Sequence, residues 1–197
     1  MFARDTDDFS PSERERIVKT AVSPRPVAWV GTRDAAGTDN LAPFSSYTYV
    51  GADEPSVLFT ASRRDGDLKD TPRNAIDTEV FSVSVATADV LETVDHTAAD
   101  PGPEEGDEFD LAGVERAECD RIDAPYVADA PIAMECTLHD RQEIHGRTML
   151  IGDVVRFHVA DEATRDGQVD SREITTIGRL GGPYYTHTDP VEFERRY

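Results

Sequence analysis

Apolar and polar positions alternate with a period of two over much of the chain, in short runs separated by turn-forming residues. Val27, Ala28, Trp29 and Val30 form a continuous apolar run suited to a buried strand. A polar turn from Arg33 closes at Gly37, and the chain returns through Asn40 to Pro43, which predicts a hairpin whose ladder ends at the proline. Arg25, held extended between two prolines, leads into it. Further strands are predicted over Ser46 to Val50, Ser56 to Ala61 and Glu79 to Ala86, the last with Phe81, Val83 and Val85 as its apolar face. Ala133 to Ile144 and Thr148 to Val159, with Gly146 at the turn, read as a long antiparallel hairpin, and Ile174 to Leu180 closes the series.

Three short helices interrupt this pattern. Ser10 is placed as an N-cap with Pro11 at the first helical position and Glu13 completing a capping box, for a helix reaching Thr20. Leu68 to Ile76 is a loop turning into a helix, with Asp70 or Thr71 as N-cap and Pro72 in the first turn. Thr87 to Ala99 is the third. Arg63 to Gly66, Asp100 to Asp110 and Thr164 to Asp170 read as solvated loops, the second as the mobile one. Many short strands and few helices predict a mainly β fold, an antiparallel β-barrel in one domain over 1–197. No Gly-x-Gly-x-x-Gly follows a strand and there is no Walker loop, which argues against the dinucleotide-binding and P-loop folds.

Charge changes the picture. The 197 residues carry 40 acids against 20 bases, a net −20, and only Lys19 and Lys69 are lysines. With an ordinary core pattern, this composition points to adaptation to molar salt, where self-repulsion is screened. It disfavours nucleic acid and anionic membranes as partners. No run approaches the roughly 18 apolar residues of a membrane span, and the acidic N-terminus lacks the form of a signal peptide, so a cytoplasmic location is expected. Cys119 and Cys136 lack Cys-x-x-Cys spacing and read as reduced structural thiols. His96, His139, His145, His158 and His187 show no metal-ligand spacing and accompany no nucleophile motif.

Two stretches carry candidate chemistry. Past Pro43, Phe44, Ser45, Ser46 and Tyr47 mix hydroxyls with aromatic surface where a sheet ends, a rim for a flat, polar-edged ligand. The helix beginning near Asp70 presents free backbone N–H groups.

Five motifs in order carry a resemblance. Ser23-Pro-Arg-Pro with Val-Gly-Thr32, Asn40-Leu-Ala-Pro-Phe-Ser-Ser46, Lys69-Asp-Thr71, Ile151-Gly152-Asp-Val, and Arg179-Leu-Gly-Gly182 with Tyr184-Tyr185 resemble the flavin reductase-like family of the FMN-binding split barrel. The resemblance implies a Greek-key split β-barrel that dimerises, binds FMN near the subunit interface and passes electrons through it. Lys69 and Thr71 then supply cation, hydroxyl and N–H groups to the FMN phosphate, with Asp70 in the same turn as a helix cap. Lys69 as a solvated loop lysine is the plain alternative. Arg25 and Ser45 or Ser46 add phosphate and ribityl contacts, or else serve ordinary turn chemistry. Asn40, Ala42, Pro43 and Thr32 face the ring. Phe44 belongs to the same rim, although it and Trp29 fit the core better than a stacking role. Tyr184 and Tyr185 close over the ring or cover the dimer seam.

In smaller free-flavin reductases of this family a histidine often stands four residues ahead of the late Ile-Gly. Here that position is Arg147, which favours tightly held FMN. The expected function is an FMN flavoprotein oxidoreductase with no catalytic acid or base side chain required. The alternatives are an NADH- or NADPH-dependent reductase feeding a monooxygenase, and a non-catalytic flavin carrier or sensor. The charge itself yields a test. Removing salt lets the net negative charge repel over about 30 Å at 0.01 M rather than about 3 Å at 1 M. The melting temperature rises with added KCl, and a flat or falling trend contradicts salt adaptation.

Overall fold

The computed structural model describes residues 3–99 and 106–194. In chain order its strands are β1 (Arg25–Pro26), β2 (Ala28–Arg33), β3 (Asp39–Phe44), β4 (Tyr47–Gly51), β5 (Ser56–Ser62), β6 (Val80–Val85) and β7 (Arg116–Glu118). They continue as β8 (Pro125–Val127), β9 (Ile132–Ile144), β10 (Arg147–Val159), β11 (Thr164–Arg165), β12 (Gln168–Val169), β13 (Ile177–Arg179) and β14 (Tyr185–His187). The α-helices are α1 (Pro11–Ala21), α2 (Asp70–Thr78), α3 (Leu91–His96) and α4 (Glu108–Ala112).

One antiparallel sheet dominates, with strand order β3-β2-β6-β9-β10-β5-β4. Its two end strands, β3 and β4, are consecutive in the chain, joined only through Ser45 and Ser46. The Thr60 amide of β5 donates to the Ser46 carbonyl at 2.9 Å, and the Phe44 ring of β3 sits 4.7 Å from the Phe59 ring of β5. The sheet thereby curls onto itself and makes a split barrel. Inside, Phe59 and Phe81 meet edge to face at 5.3 Å among Val30, Val83, Cys136 and Leu150. A second cluster outside the barrel joins Trp29, Leu41, Val94, Phe109 and Ile177, and the Trp29 indole donates to Thr97 Oγ1 at 2.8 Å. Both faces of β2 are therefore buried, which explains why its sequence runs apolar without alternation.

The capping box at Ser10 and the long β9–β10 hairpin form as the pattern predicts. Four features differ. Pro43 does not end the ladder: Trp29 pairs with Pro43 and Ala28 with Phe44, because β3 is an edge strand where a missing N–H is tolerated. The N-cap of α2 is Lys69, and the Asp70 carboxylate instead pairs with Arg73 at 2.5 Å. The serines opposite the apolar face of β6 are buried as well. Ser82 Oγ donates to the Pro125 carbonyl at 2.6 Å and Ser84 Oγ accepts from the Val127 amide at 3.1 Å, so the β7–β8 ribbon covers that face of β6. Of the stretch read as a mobile loop, Asp100 to Glu105 lie outside the described residues, and Glu108–Ala112 is helix α4, capped by Asp107. Within Thr164 to Asp170, Thr164 pairs with Val169 and Arg165 with Gln168.

Both cysteines are free thiols, and burial pushes the Cys119 thiol up to about 12 and Cys136 higher still. No helix among the described residues is long and apolar enough to cross a membrane.

The Ile151-Gly152 motif has a packing reason. A Cβ on Gly152 would lie 2.4 Å from Phe81 Cζ, so the strand can pass the aromatic pair only without a side chain there. Gly152→Ala should therefore cost about 1–3 kcal/mol, the usual range for overpacking a core. Denaturant melts read it, and an unchanged midpoint contradicts the packing account.

Candidate functional site at the barrel split

A cavity of about 900 Å³ opens where the sheet closes, between the Asn40–Ser46 stretch, the end of β5, the start of α2 and the side of α1. Of the residues predicted for a site, it gathers Asn40, Ala42, Pro43, Phe44, Ser45, Ser46, Lys69, Asp70 and Thr71. Their placement follows from a buried polar set. Asn40 Nδ2 donates to Thr71 Oγ1 at 2.8 Å and to Thr32 Oγ1 at 3.3 Å, while Asn74 Nδ2 reaches the same Thr32 oxygen at 3.3 Å. These bonds fix the first turn of α2 against β2 and β3. Thr32 is fully buried and stands behind the wall, reaching the cavity only through Asn40.

The α2 terminus meets the cavity with unspent donors. The first intrahelical bond runs from the Arg73 amide to the Lys69 carbonyl at 3.1 Å, and Pro72 has no N–H, so the Asp70 and Thr71 amides face outward from the helix start. Lys69 is half-buried at that turn, and its Nζ makes no hydrogen bond or ion pair among the described residues. Cation, amides and the Thr71 hydroxyl thus converge as a phosphate group requires. Across the opening, Ala42 and Pro43 offer small apolar surface and Ser45 and Ser46 offer hydroxyls, which suits a flat ring with polar edges. The residues present fit a flavin mononucleotide.

Three predicted residues lie elsewhere. The Arg25 guanidinium donates to the carbonyls of Lys19, Val22 at 2.9 Å and Leu180 at 2.8 Å, tying the end of α1 to the chain after β13. Tyr184 is largely exposed away from the cavity, and Tyr185 lies under the Arg179 guanidinium, 4.3 Å from ring centroid to Cζ.

The cavity also has walls that the pattern does not signal. Arg14, Glu15 and Lys19 of α1 line it, with His145 and Arg147 from the β9–β10 turn. Glu108 of α4 lines it as well, and its carboxylate accepts from the Leu41 amide at 3.3 Å, satisfying an N–H of the edge strand. Nothing local marks Glu108, since its burial comes from α4 folding over β3. Away from the cavity, Asp120, Glu135 and His158 gather within 4.8 Å, in spite of unremarkable sequence spacing. The Glu135 carboxylate there accepts from the Asp120 and Arg121 amides at 2.9 and 2.7 Å and from His158 at 2.6 Å, and Arg156 pairs with Asp120 at 2.7 Å. That arrangement spends its lone pairs on pinning a loop to the barrel.

A barrel split at β3 and β4 with a polar cleft at the split defines the architecture. The chain belongs to the flavin reductase-like family: the flavin reductase like domain matches residues 21–177. Among solved structures, nitrilotriacetate monooxygenase component B of Bacillus cereus is 30% identical, with a TM-score of 0.91 over 99% of this chain and 98% of that one. The 2-nitrobenzoate 2-nitroreductase of Pseudomonas fluorescens is 27% identical, with a TM-score of 0.86 over 98% and 96%. A split-barrel protein of Shewanella frigidimarina shares the fold at 20% identity, with a TM-score of 0.81 over 100% of both chains.

Burial, ahead of the neighbouring Asp70 and Asp107 charges, raises the Glu108 carboxyl above its ordinary value, against the amide hydrogen bonds that lower it. The folded chain then holds this proton more tightly than the unfolded one. Stability contributed here is complete below the unfolded value of about 4.3 and is lost as pH rises through the raised folded value. Glu108→Gln should remove that share of the decline, so the variant gains on the parent toward neutral pH in urea melts. Parallel pH profiles contradict it.

Proposed function

We propose that this chain is an FMN-binding flavoprotein oxidoreductase that transfers electrons or hydride through bound FMN. The observation that carries it is the Lys69 ammonium, without a partner among the described residues, beside the α2 amides and Thr71 and facing a small-residue rim across one cleft. When bound, FMN would supply the two-electron redox chemistry. Lys69, Thr71 and the amides would hold its phosphate. Ser45 and Ser46 would meet the ribityl hydroxyls, and Ala42 and Pro43 would let the ring lie close to β3. Phe44, packed on Phe59, would keep water from the ring's inner face. No side chain of the cleft need act as acid or base for this role.

The 30% identity to a monooxygenase component B favours a second reading, in which NADH or NADPH reduces flavin here for use by a separate monooxygenase. Gel filtration separates the two, since a bound prosthetic group co-elutes and a flavin substrate does not. Bleaching of the flavin by NADH or NADPH distinguishes either enzyme from a passive carrier. Lys69→Ala should weaken FMN binding by about 1.5 to 3 kcal/mol, the loss of a charge-assisted phosphate contact, and leave riboflavin binding unchanged. An FMN affinity equal to the parent's, or an equal loss for riboflavin, refutes the phosphate assignment.

The reading includes a two-fold homodimer with FMN near its interface. The outer face of the barrel supports it: Leu58, Met149 and Ile151 form an apolar row on the face opposite the core-facing Phe59 and Leu150. Because Met149 points away from the core, Met149→Glu should give a folded monomer with reduced FMN affinity, by light scattering and flavin fluorescence. A monomer that retains parental affinity refutes a shared site.

A further inference from the structure

In a chain whose acids outnumber its bases two to one, the cavity carries more bases than acids: Arg14, Lys19, Lys69 and Arg147 line it against Glu15, Asp70 and Glu108. Both lysines of the entire chain are among them. The three acids are each tempered, Asp70 by Arg73 at 2.5 Å, Glu15 by Lys19 at 2.6 Å, and Glu108 by burial that favours its neutral form. The bases divide between two walls. Lys69 stands at α2, and Lys19, Arg14 and Arg147 stand at α1 and the first residue of β10, where Arg147 also approaches Glu15 at 3.9 Å. One phosphate monoester at α2 leaves the second wall unused. The volume of about 900 Å³ lies near the top of the range for small-ligand clefts, roughly 300–1,000 Å³, and leaves room beyond a mononucleotide.

We infer that Lys19 and Arg147 form a second anion subsite of this cleft, for the pyrophosphate bridge of a dinucleotide whose other end meets the flavin ring. The inference rests on the flavin reading above. Arg147 offers a planar fork suited to two phosphate oxygens, and Lys19 a compact charge on a flexible stem. Arg25 fixes the wall they stand on, because its guanidinium holds the last turn of α1 in place. A pyrophosphate here comes from one of two sources, the reduced nicotinamide donor or a flavin adenine dinucleotide that spans both walls.

The test uses the full chain at the lowest salt that keeps it folded, with Lys19→Ala, Arg147→Ala and the double variant; both side chains are about half exposed, so the fold does not depend on them. If the donor supplies the pyrophosphate, the double variant raises the KM for NADH or NADPH by roughly tenfold or more, as loss of charge-assisted contacts does. Reduced nicotinamide mononucleotide, which has no pyrophosphate, is used equally by parent and variant, and the affinities for FMN and riboflavin stay put. If the flavin supplies it, the variant loses FAD affinity by a similar factor while FMN affinity and donor KM hold. The pair Lys19→Arg and Arg147→Lys keeps both charges and restores part of the loss. Unchanged donor KM together with unchanged FAD affinity overturns the subsite while leaving the flavin reading intact. A parent that binds no flavin overturns both.

Discussion

The cleft depends on one buried polar set, in which the Asn40 amide bridges the hydroxyls of Thr71 and Thr32 and Asn74 ties the same threonine to α2. A helix start lying loose on a barrel would present its amides to bulk water. Here the bonds fix the first turn of α2 to the β2–β3 hairpin, so amides, Lys69 and the Ala42–Ser46 rim hold a constant relation. All four polar side chains are buried, and removing one strands its partners without water, which costs more than a hydrogen bond contributes when made. The set thus joins the closure of the sheet to the shape of the site. It also sets Asn40 and Thr71 on the cleft wall while Thr32 stands behind it.

Most of the barrel was legible because its signals are local. Period-two alternation, the His145-Gly146 turn and the Ser10 capping box each lie within a few residues of the structure they specify. Pro43 misled because a proline's effect depends on which strand lies beside it, and edge position is a property of the whole sheet. The burial of Ser82 and Ser84 has no local signal for a related reason. Their partners are backbone groups at Pro125 and Val127, more than forty residues away, and alternation cannot distinguish water from a distant carbonyl. The ribbon that supplies them is clamped by charge as well as by the apolar contact of Val127. Arg33 pairs with Asp39, Glu118 and Asp123 at 2.6 to 2.9 Å, and Arg116 with Asp39 and Asp107 at 2.8 Å. In so acidic a chain, such pairings have no sequence pattern to betray them.

Arg25 and Lys69 show the same limit from the side of function. Both are cations in motifs that resemble flavin contacts, and the sequence favours Lys69 only through its rarity as one of two lysines. The structure separates them by their partners. Arg25 has backbone carbonyls for its donors, whereas Lys69 has none among the described residues. A cation with its acceptors inside the protein is a brace, and one that lacks them at the mouth of a cleft is available to a ligand. Glu108 escaped notice for the opposite reason, as one acid among forty whose distinction is burial alone.

The division of labour between arginine and lysine follows from these geometries. Arg33 and Arg116 each satisfy several carboxylates at once, which a planar five-donor fork does well and a point charge does poorly. Such clamps hold an acidic chain together at short range. Lysine is retained only at two places, both on the cleft. If the chain works in molar salt, a Debye length of about 3 Å removes long-range steering, and a cation can attract an anion only by touching it. Binding under that constraint requires walls close enough for direct contact and donors already aimed. The polar set behind Asn40 supplies that aim on one wall and the Arg25 brace supplies it on the other, so the residues that never meet a ligand decide whether those that do can hold it.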